Sequence, residues 1–340
     1  MRLSVLDQST IVAGTPPDAA IRESLALARH AEALGYARYW VAEHHASLSQ
    51  AGTAPEILIA AIAATTSRIR VGSAGVMLPH YSALKVAEQF RVLEAIAPGR
   101  IDLGLGRAPG SDRRTSYALN PNADTAAEHF PGQVRDLLAW LAGEALVEGH
   151  PFRSVLAQPQ GPTQPEVWML GSSDYGAQVA AHFGLPYCFA HFITDGAGCA
   201  QAISLYRDLY KPSARWPRPV AAACVWACAA TSEAEAERLF ASRALWRLGR
   251  DRGIYAPLPT VAEALAHTYS DAERSRVEAL RRQAILGTGD AVVQQLRDLA
   301  VSLGIEEIAI LTTVAEPEAR RQSYALIAAA AGLTPSRPAA

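Results

Sequence analysis

The sequence lacks the features that announce several large protein classes. Across 340 residues, no apolar run approaches the roughly 18 consecutive residues that a membrane-spanning helix needs. Cysteine occurs four times, at Cys188, Cys199, Cys224 and Cys228, never as Cys-x-x-Cys, so buried free thiols are a better reading than a zinc site. Neither charge sign dominates. Thirty-one Lys and Arg stand against 33 Asp and Glu, a formal net charge of -2, which gives no electrostatic reason to expect nucleic acid or an anionic membrane as partner. Met1-Arg2 leads straight into an apolar strand without a cleavage pattern, so a cytoplasmic protein acting on small molecules is expected. Several catalytic signatures are also missing. Neither His-x-His nor His-Glu-x-x-His occurs, and adjacent histidines cannot easily chelate one ion, so no metal is expected. Gly72-Ser73-Ala74-Gly75 lacks the Gly-x-Ser-x-Gly spacing of a nucleophile elbow. Gly104-x-Gly106-x-x-Pro109 follows a strand but ends in proline with no immediate helix, unlike a dinucleotide fingerprint.

What is present is alternation. Half the residues are hydrophobic, and apolar runs of strand length alternate with segments of helical period. Strands are predicted at 3–6, 37–42, 69–77, 101–105, 167–170, 187–190, 220–229 and 308–311. Helices are predicted between them: one capped by Asp18 and ended by Gly35, then 56–65 opened by Pro55, 84–97, 130–141, one opening after Ser173, and 198–210. A helix capped by Asp290 and a last one over 316–331 complete the series. Eight strands with eight helices imply a parallel (β/α)8 TIM barrel, read as a single domain over 1–340. The interval from 230 to about 290 is too long for one crossover. It is expected to hold a helical insertion between strands 7 and 8, with helices at 234–248 and 272–286, and residues 335–340 are expected to fray.

In such barrels chemistry sits where strands end and loops begin. Trp40-Val41-Ala42-Glu43-His44-His45 closes the second strand with three ionisable side chains, and two successive residues face opposite ways, so one histidine should face the barrel mouth. The third strand contains Gly72, Ser73, Ala74 and Gly75, small residues that suggest close approach of a flat group. Arg107 follows the fourth strand. Gly171, Ser172, Ser173 and Gly176 lie where the fifth turns into a helix, a place suited to a phosphate. Alternatively, Ser173 or Asp174 is a simple helix cap and Arg107 a surface ion-pair partner.

Taken in order, these stretches, with Val76-Met77-Leu78-Pro79, Gly99-Arg100-Ile101-Asp102-Leu103 and Ala108-Pro109-Gly110, resemble the bacterial luciferase-like flavin-dependent monooxygenases over nearly the whole chain. The resemblance implies a barrel that uses reduced flavin mononucleotide (FMN), supplied by a separate reductase, with O2 to oxidise a small organic substrate through a flavin peroxide. It implies that Ala74-Gly75 occupies the place of a non-proline cis peptide behind the flavin ring. Arg107, Ser172, Ser173 and Gly176 match its phosphate-binding positions, and Gly171 belongs to the same cofactor-binding turn. His44 matches the catalytic histidine, an imidazole of near-neutral pKa, with His45 and Glu43 holding it in place. A homodimer is also implied. Gly106 stands where light-emitting members carry a cysteine, so luminescence is not implied, and the 230–306 interval, expected to cover the substrate, matches least. A deazaflavin-dependent hydride transferase and a non-catalytic flavin-binding protein are the alternatives, and a metal hydrolase using Glu43, His44 and His80 is more distant.

Overall fold

The computed structural model describes residues 1–108 and 112–334; Pro109 and Gly110 of the fourth strand-end motif and the tail from Pro335 lie outside the described residues. In chain order the elements are β1 (Arg2–Asp7), α1 (Ala19–Leu34), β2 (Arg38–Val41), α2 (Pro55–Thr65), β3 (Arg70–Met77), a 3-10 turn (Leu78–His80), α3 (Ala83–Ile96) and β4 (Ile101–Gly106). There follow α4 (Arg113–Leu119), α5 (Ala123–Glu128), α6 (Phe130–Ala142), β5 (Glu166–Gly171), α7 (Asp174–Phe183), β6 (Tyr187–Phe189), α8 (His191–Thr194) and α9 (Cys199–Leu209). The chain continues with β7 (Ala221–Ala230), α10 (Glu233–Asp251), α11 (Val261–Ala266), α12 (Asp271–Gln283), β8 (Ile285–Thr288), α13 (Gly289–Leu303), β9 (Glu307–Leu311) and α14 (Pro317–Ala331).

Every ladder is parallel. The strands run β1 to β7 around the wall, and β9 pairs with both β7 and β1, closing an eight-stranded TIM barrel. The ninth strand, β8, lies outside the closure. The long β7 pairs through residues 222–226 with β9 and through 227–230 with β8. Three local features differ from the sequence-based expectation. Residues 285 and 286 were expected to end a helix, but α12 stops at Gln283 and they begin β8. The next helix is capped by Thr288, whose side chain accepts from the Ala291 N–H, and not by Asp290, which lies inside α13. Asp18 precedes α1 without bonding its amides and pairs instead with Arg22, whereas Gly35 ends α1 in the left-handed conformation as expected.

The strands carry apolar residues on both faces, as a covered parallel sheet requires. Tyr39, Val41, Val71 and Leu103 belong to the apolar shell shared with the helices, and Leu6, Trp40, Trp168 and Cys224 fill the inside. All four cysteines are free and buried, and burial pushes the Cys224 thiol up, which suits packing and not nucleophilic chemistry. The first residues of the strands form a charged floor. Arg38 bonds Asp102, Glu166 and Glu307 at 2.8, 2.9 and 2.9 Å, and Arg70 pairs with Asp102. Trp40 donates its indole N–H to Asp102 at 2.8 Å and lies edge-on to Trp168, so it closes the floor beneath the upper barrel. Among the described residues, no helix is long and apolar enough to cross a membrane.

Candidate active site

A cavity of about 360 Å³ opens at the C-terminal ends of the strands. Its lining includes His44, Ala74, Gly75, Arg107, Gly171, Ser172, Ser173 and Gly176, so the strand-end residues singled out from sequence converge there, His45 excepted. Trp40 closes it from below, and Leu170, Tyr175 and Phe192 add apolar walls.

The small residues of β3 have two different causes. A side chain at Gly72 would collide with the backbone of Asp102, and one at Gly104 with the Ser73 carbonyl oxygen. Those glycines therefore let two neighbouring strands approach. Ser73 fastens the approach twice, donating its hydroxyl to the Gly104 carbonyl and accepting the Gly104 N–H, each at 3.0 Å. The register then shifts between Ser73 and Val76, and within that bulge the Ala74-Gly75 peptide is cis and faces the cavity. A side chain at Gly75 would likewise meet the Gly104 carbonyl, so Gly72 and Gly75 both answer to β4, while Ala74 and Gly75 also line the cavity.

At another edge, β5 turns into α7 through Gly171, Ser172 and Ser173. Ser173 is the N-cap in extended conformation, yet its side chain makes no capping bond. The simple-cap reading therefore fails for that hydroxyl, and the first amides of α7 face the cavity end with both serines. Arg107 lies 3.9 Å from the centre of the Tyr175 ring, which positions its charge beside the first turn of α7.

The two histidines part company. Glu43 Oε1 is 2.8 Å from His45 Nε2 and accepts the Tyr81 hydroxyl at 2.6 Å, while its other oxygen accepts the Met77 N–H at 3.1 Å. Glu43 and His45 thus tie the loop after β2 to the end of β3. They do not hold the His44 ring, contrary to the expectation. His44 is fixed by its backbone, whose N–H donates to Gly52 at 2.8 Å, and its buried Nδ1 has no partner among the described residues. Burial and then the Arg250 guanidinium lower its pKa to about 4, so the ring is neutral at neutral pH and not half-titrated as the resemblance implied. His80 sits in the 3-10 turn outside the cavity lining.

With this geometry in view, comparison with known proteins is decisive. Residues 1–307 match the family described as luciferase-like monooxygenase. The chain belongs to that family. Over 326 residues it is 44% identical to the uncharacterized protein YwcH of Bacillus subtilis (strain 168), covering 96% of this chain and 97% of that one. The solved structure of apo-MsnO8 superposes with a TM-score of 0.90 at 38% identity, covering 98% and 99% of the two chains. At 18% identity and a TM-score of 0.69, covering 96% of each chain, the oxygenating constituent of 3,6-diketocamphane monooxygenase from Pseudomonas putida, solved in complex with FMN, shares the fold.

In this luciferase-like barrel the sequence reading passed over several lining residues. Gln8 follows β1, Tyr175 opens α7, Phe192 comes from α8, and Arg250 reaches in from the insertion. Gln8 and Tyr175 follow strand ends and could have been found by that rule. Arg250 could not, because it lies in the last turn of a 19-residue helix whose docking depends on tertiary contacts.

Proposed function

We propose that this luciferase-like monooxygenase binds reduced FMN in the 360 Å³ cavity and uses it with O2 to oxidise a small organic molecule, the reduced flavin coming from a separate reductase. The observation that carries this reading is the placement, around one cavity, of three things that FMN chemistry needs. Uncapped amides with Ser172, Ser173 and Arg107 suit its phosphate; the Ala74-Gly75 wall suits its flat ring; and His44 offers a neutral imidazole with an unpartnered buried nitrogen. The FMN-bound diketocamphane enzyme, alike in fold, supports the choice of cofactor.

When bound, reduced flavin supplies the electrons that activate dioxygen. The protein's own part is to bind, screen and move a proton. Trp40, Leu170 and Phe192 give the cavity apolar walls that would exclude water from a bound flavin. At neutral pH His44 carries one ring proton and one free lone pair, so it could take a proton from a group bound beside it and return it. His45 positions the loop that carries His44. Homodimer formation belongs to the same reading: Ile57, Val92 and Ile96 stay exposed on the neighbouring helices α2 and α3, and sedimentation of the purified chain tests it.

The test of function is equilibrium binding of FMN beside a deazaflavin, followed by turnover of a small-molecule extract with reduced FMN and isotopically labelled dioxygen. FMN should bind more tightly, label should enter a product, and His44→Gln should lower labelling by about a hundredfold or more. Binding of the deazaflavin in place of FMN would move the reading to hydride transfer. FMN binding without label in any product would leave a flavin carrier.

A further inference from the structure

A second cavity, of about 230 Å³, adjoins the first and shares Gln8, Phe192, Ile193 and Arg250 with it. Its floor is Trp226 of β7 and Leu311 at the end of β9, and its wall is one face of α10, where Arg243, Arg247 and Arg250 recur at i, i+4 and i+7. In an eight-stranded barrel, β9 and β1 stand across the mouth from β4 and β5. This cavity therefore faces the Arg107 and α7 end from the other side.

Three of its polar side chains, Arg243, Gln8 and Thr313, are buried and hydrogen-bonded to none of the described residues. Arg243 is 5% exposed and makes no hydrogen bond to the described residues. Its guanidinium lies 4.3 Å from the Trp226 ring centre and no closer than 3.9 Å to Asp195. Asp195 is already held by two bonds from Arg247, at 2.7 and 3.0 Å. Asp251 is taken by Arg276 at 2.7 Å. Arg250 stacks on Trp246 and Tyr255 and has no carboxylate partner among the described residues. Four guanidiniums thus meet two carboxylates. Gln8 and Thr313, 6% and 2% exposed, line the same cavity, and neither their side chains nor the buried Trp226 indole N–H has a hydrogen-bond partner among the described residues. Groups so buried are normally paired, and a guanidinium with five donors and none used is an expensive arrangement unless an anion completes it.

We propose that this cavity binds the carboxylate of a small organic acid, paired with Arg243 and Arg250, while the rest of the molecule extends past Phe192 into the flavin cavity. The assignment of that acid as the oxidised substrate rests on the flavin reading above; the anion site itself does not. A carboxylate suits two forked donors and a cavity whose other walls are the apolar faces of Trp226, Trp246 and Phe192. It would also offset the charge that presses on His44, since Arg250 is the largest electrostatic influence lowering that imidazole.

The test is calorimetric titration of the full chain, saturated with FMN so that the flavin end is filled, with hexanoate and with hexanamide. Hexanoate should bind about tenfold or more tightly than the amide, the preference expected of charge-assisted bonds. Arg243→Gln should abolish the preference, and Arg250→Gln, at a less buried position, should do so even if the first variant folds poorly. Equal binding of acid and amide, undetectable hexanoate binding, or a preference that survives in both variants would overturn the proposal. So would a loss of FMN affinity greater than that of riboflavin in Arg250→Gln, which would make the cluster the flavin phosphate site. If FMN fails to bind at all, the same titration on the chain alone still reads the anion site, and the flavin reading fails separately.

Discussion

Glu43 bonds His45, 2.8 Å from Oε1 to Nε2, and leaves the His44 imidazole between them without a carboxylate. The pH dependence of stability follows from that isolation. Burial and Arg250 hold His44 near 4 in the folded protein, against an ordinary 6.5 when unfolded. Between those values the unfolded chain binds a proton that the folded chain refuses, so His44's contribution is complete above pH 6.5 and is lost as pH falls towards 4. Urea unfolding at pH 7 and pH 4.5 should show wild type losing more stability than His44→Gln over that interval. Equal losses would place the charge of His44 elsewhere.

The glycines of β4 make opposite predictions two residues apart. At Gly104 an added methyl would strike the Ser73 carbonyl, which cannot move without parting β3 from β4, whereas at Gly106 the nearest atom, the Val76 carbonyl oxygen, is 4.0 Å away. Gly104→Ala should therefore cost about 1–3 kcal/mol or more through overpacking. Gly106→Ala should stay within about 0.5 kcal/mol. Because that space opens on the cavity, a Gly106→Cys chain should fold as well as wild type. Chemical denaturation of the three variants checks this, and a well-tolerated Gly104→Ala would contradict the steric reading.

Much of the barrel was legible because each strand is a short apolar run bounded by turn residues, and the strand-end rule then drew His44, Arg107 and Ser172-Ser173 to one mouth before any contact was known. Where the reading failed, the failure was physical. Ile285 and Leu286 continue the apolar spacing of α12, and a run of four residues does not distinguish strand from helix; only pairing with the overlong β7 makes them β8. The resemblance implied that Glu43 and His45 hold His44, but side chains that alternate in direction find different partners, Tyr81 and Met77 for one side and the cavity for His44. Arg243, Arg247 and Arg250 stand at helical spacing, a pattern that ordinarily marks a solvated face and so gave no signal of a site. Their burial over β7 arises from Ala236, Leu239, Phe240 and Ala244 packing with the barrel interior, a contact that no local pattern reports.

Arg107 provides the sharpest test of cofactor orientation. Its guanidinium rests on the Tyr175 ring at 3.9 Å, and Tyr175 belongs to the first turn of α7, so the stack fixes a positive charge where the amides of α7 are already unpaired. A phosphate placed there gains a charge-assisted bond worth about 1.5–3 kcal/mol, which corresponds to roughly a ten- to hundredfold change in affinity. Arg107→Gln should therefore weaken FMN binding by that factor while riboflavin, which has no phosphate, binds as before. Tyr175→Leu removes the support and not the charge, so it should move FMN affinity in the same direction by less. Fluorescence titration of both ligands against both variants makes the comparison. If riboflavin and FMN weaken together in Arg107→Gln, the arginine serves the cavity's shape, and the phosphate must be held from the other side of the mouth.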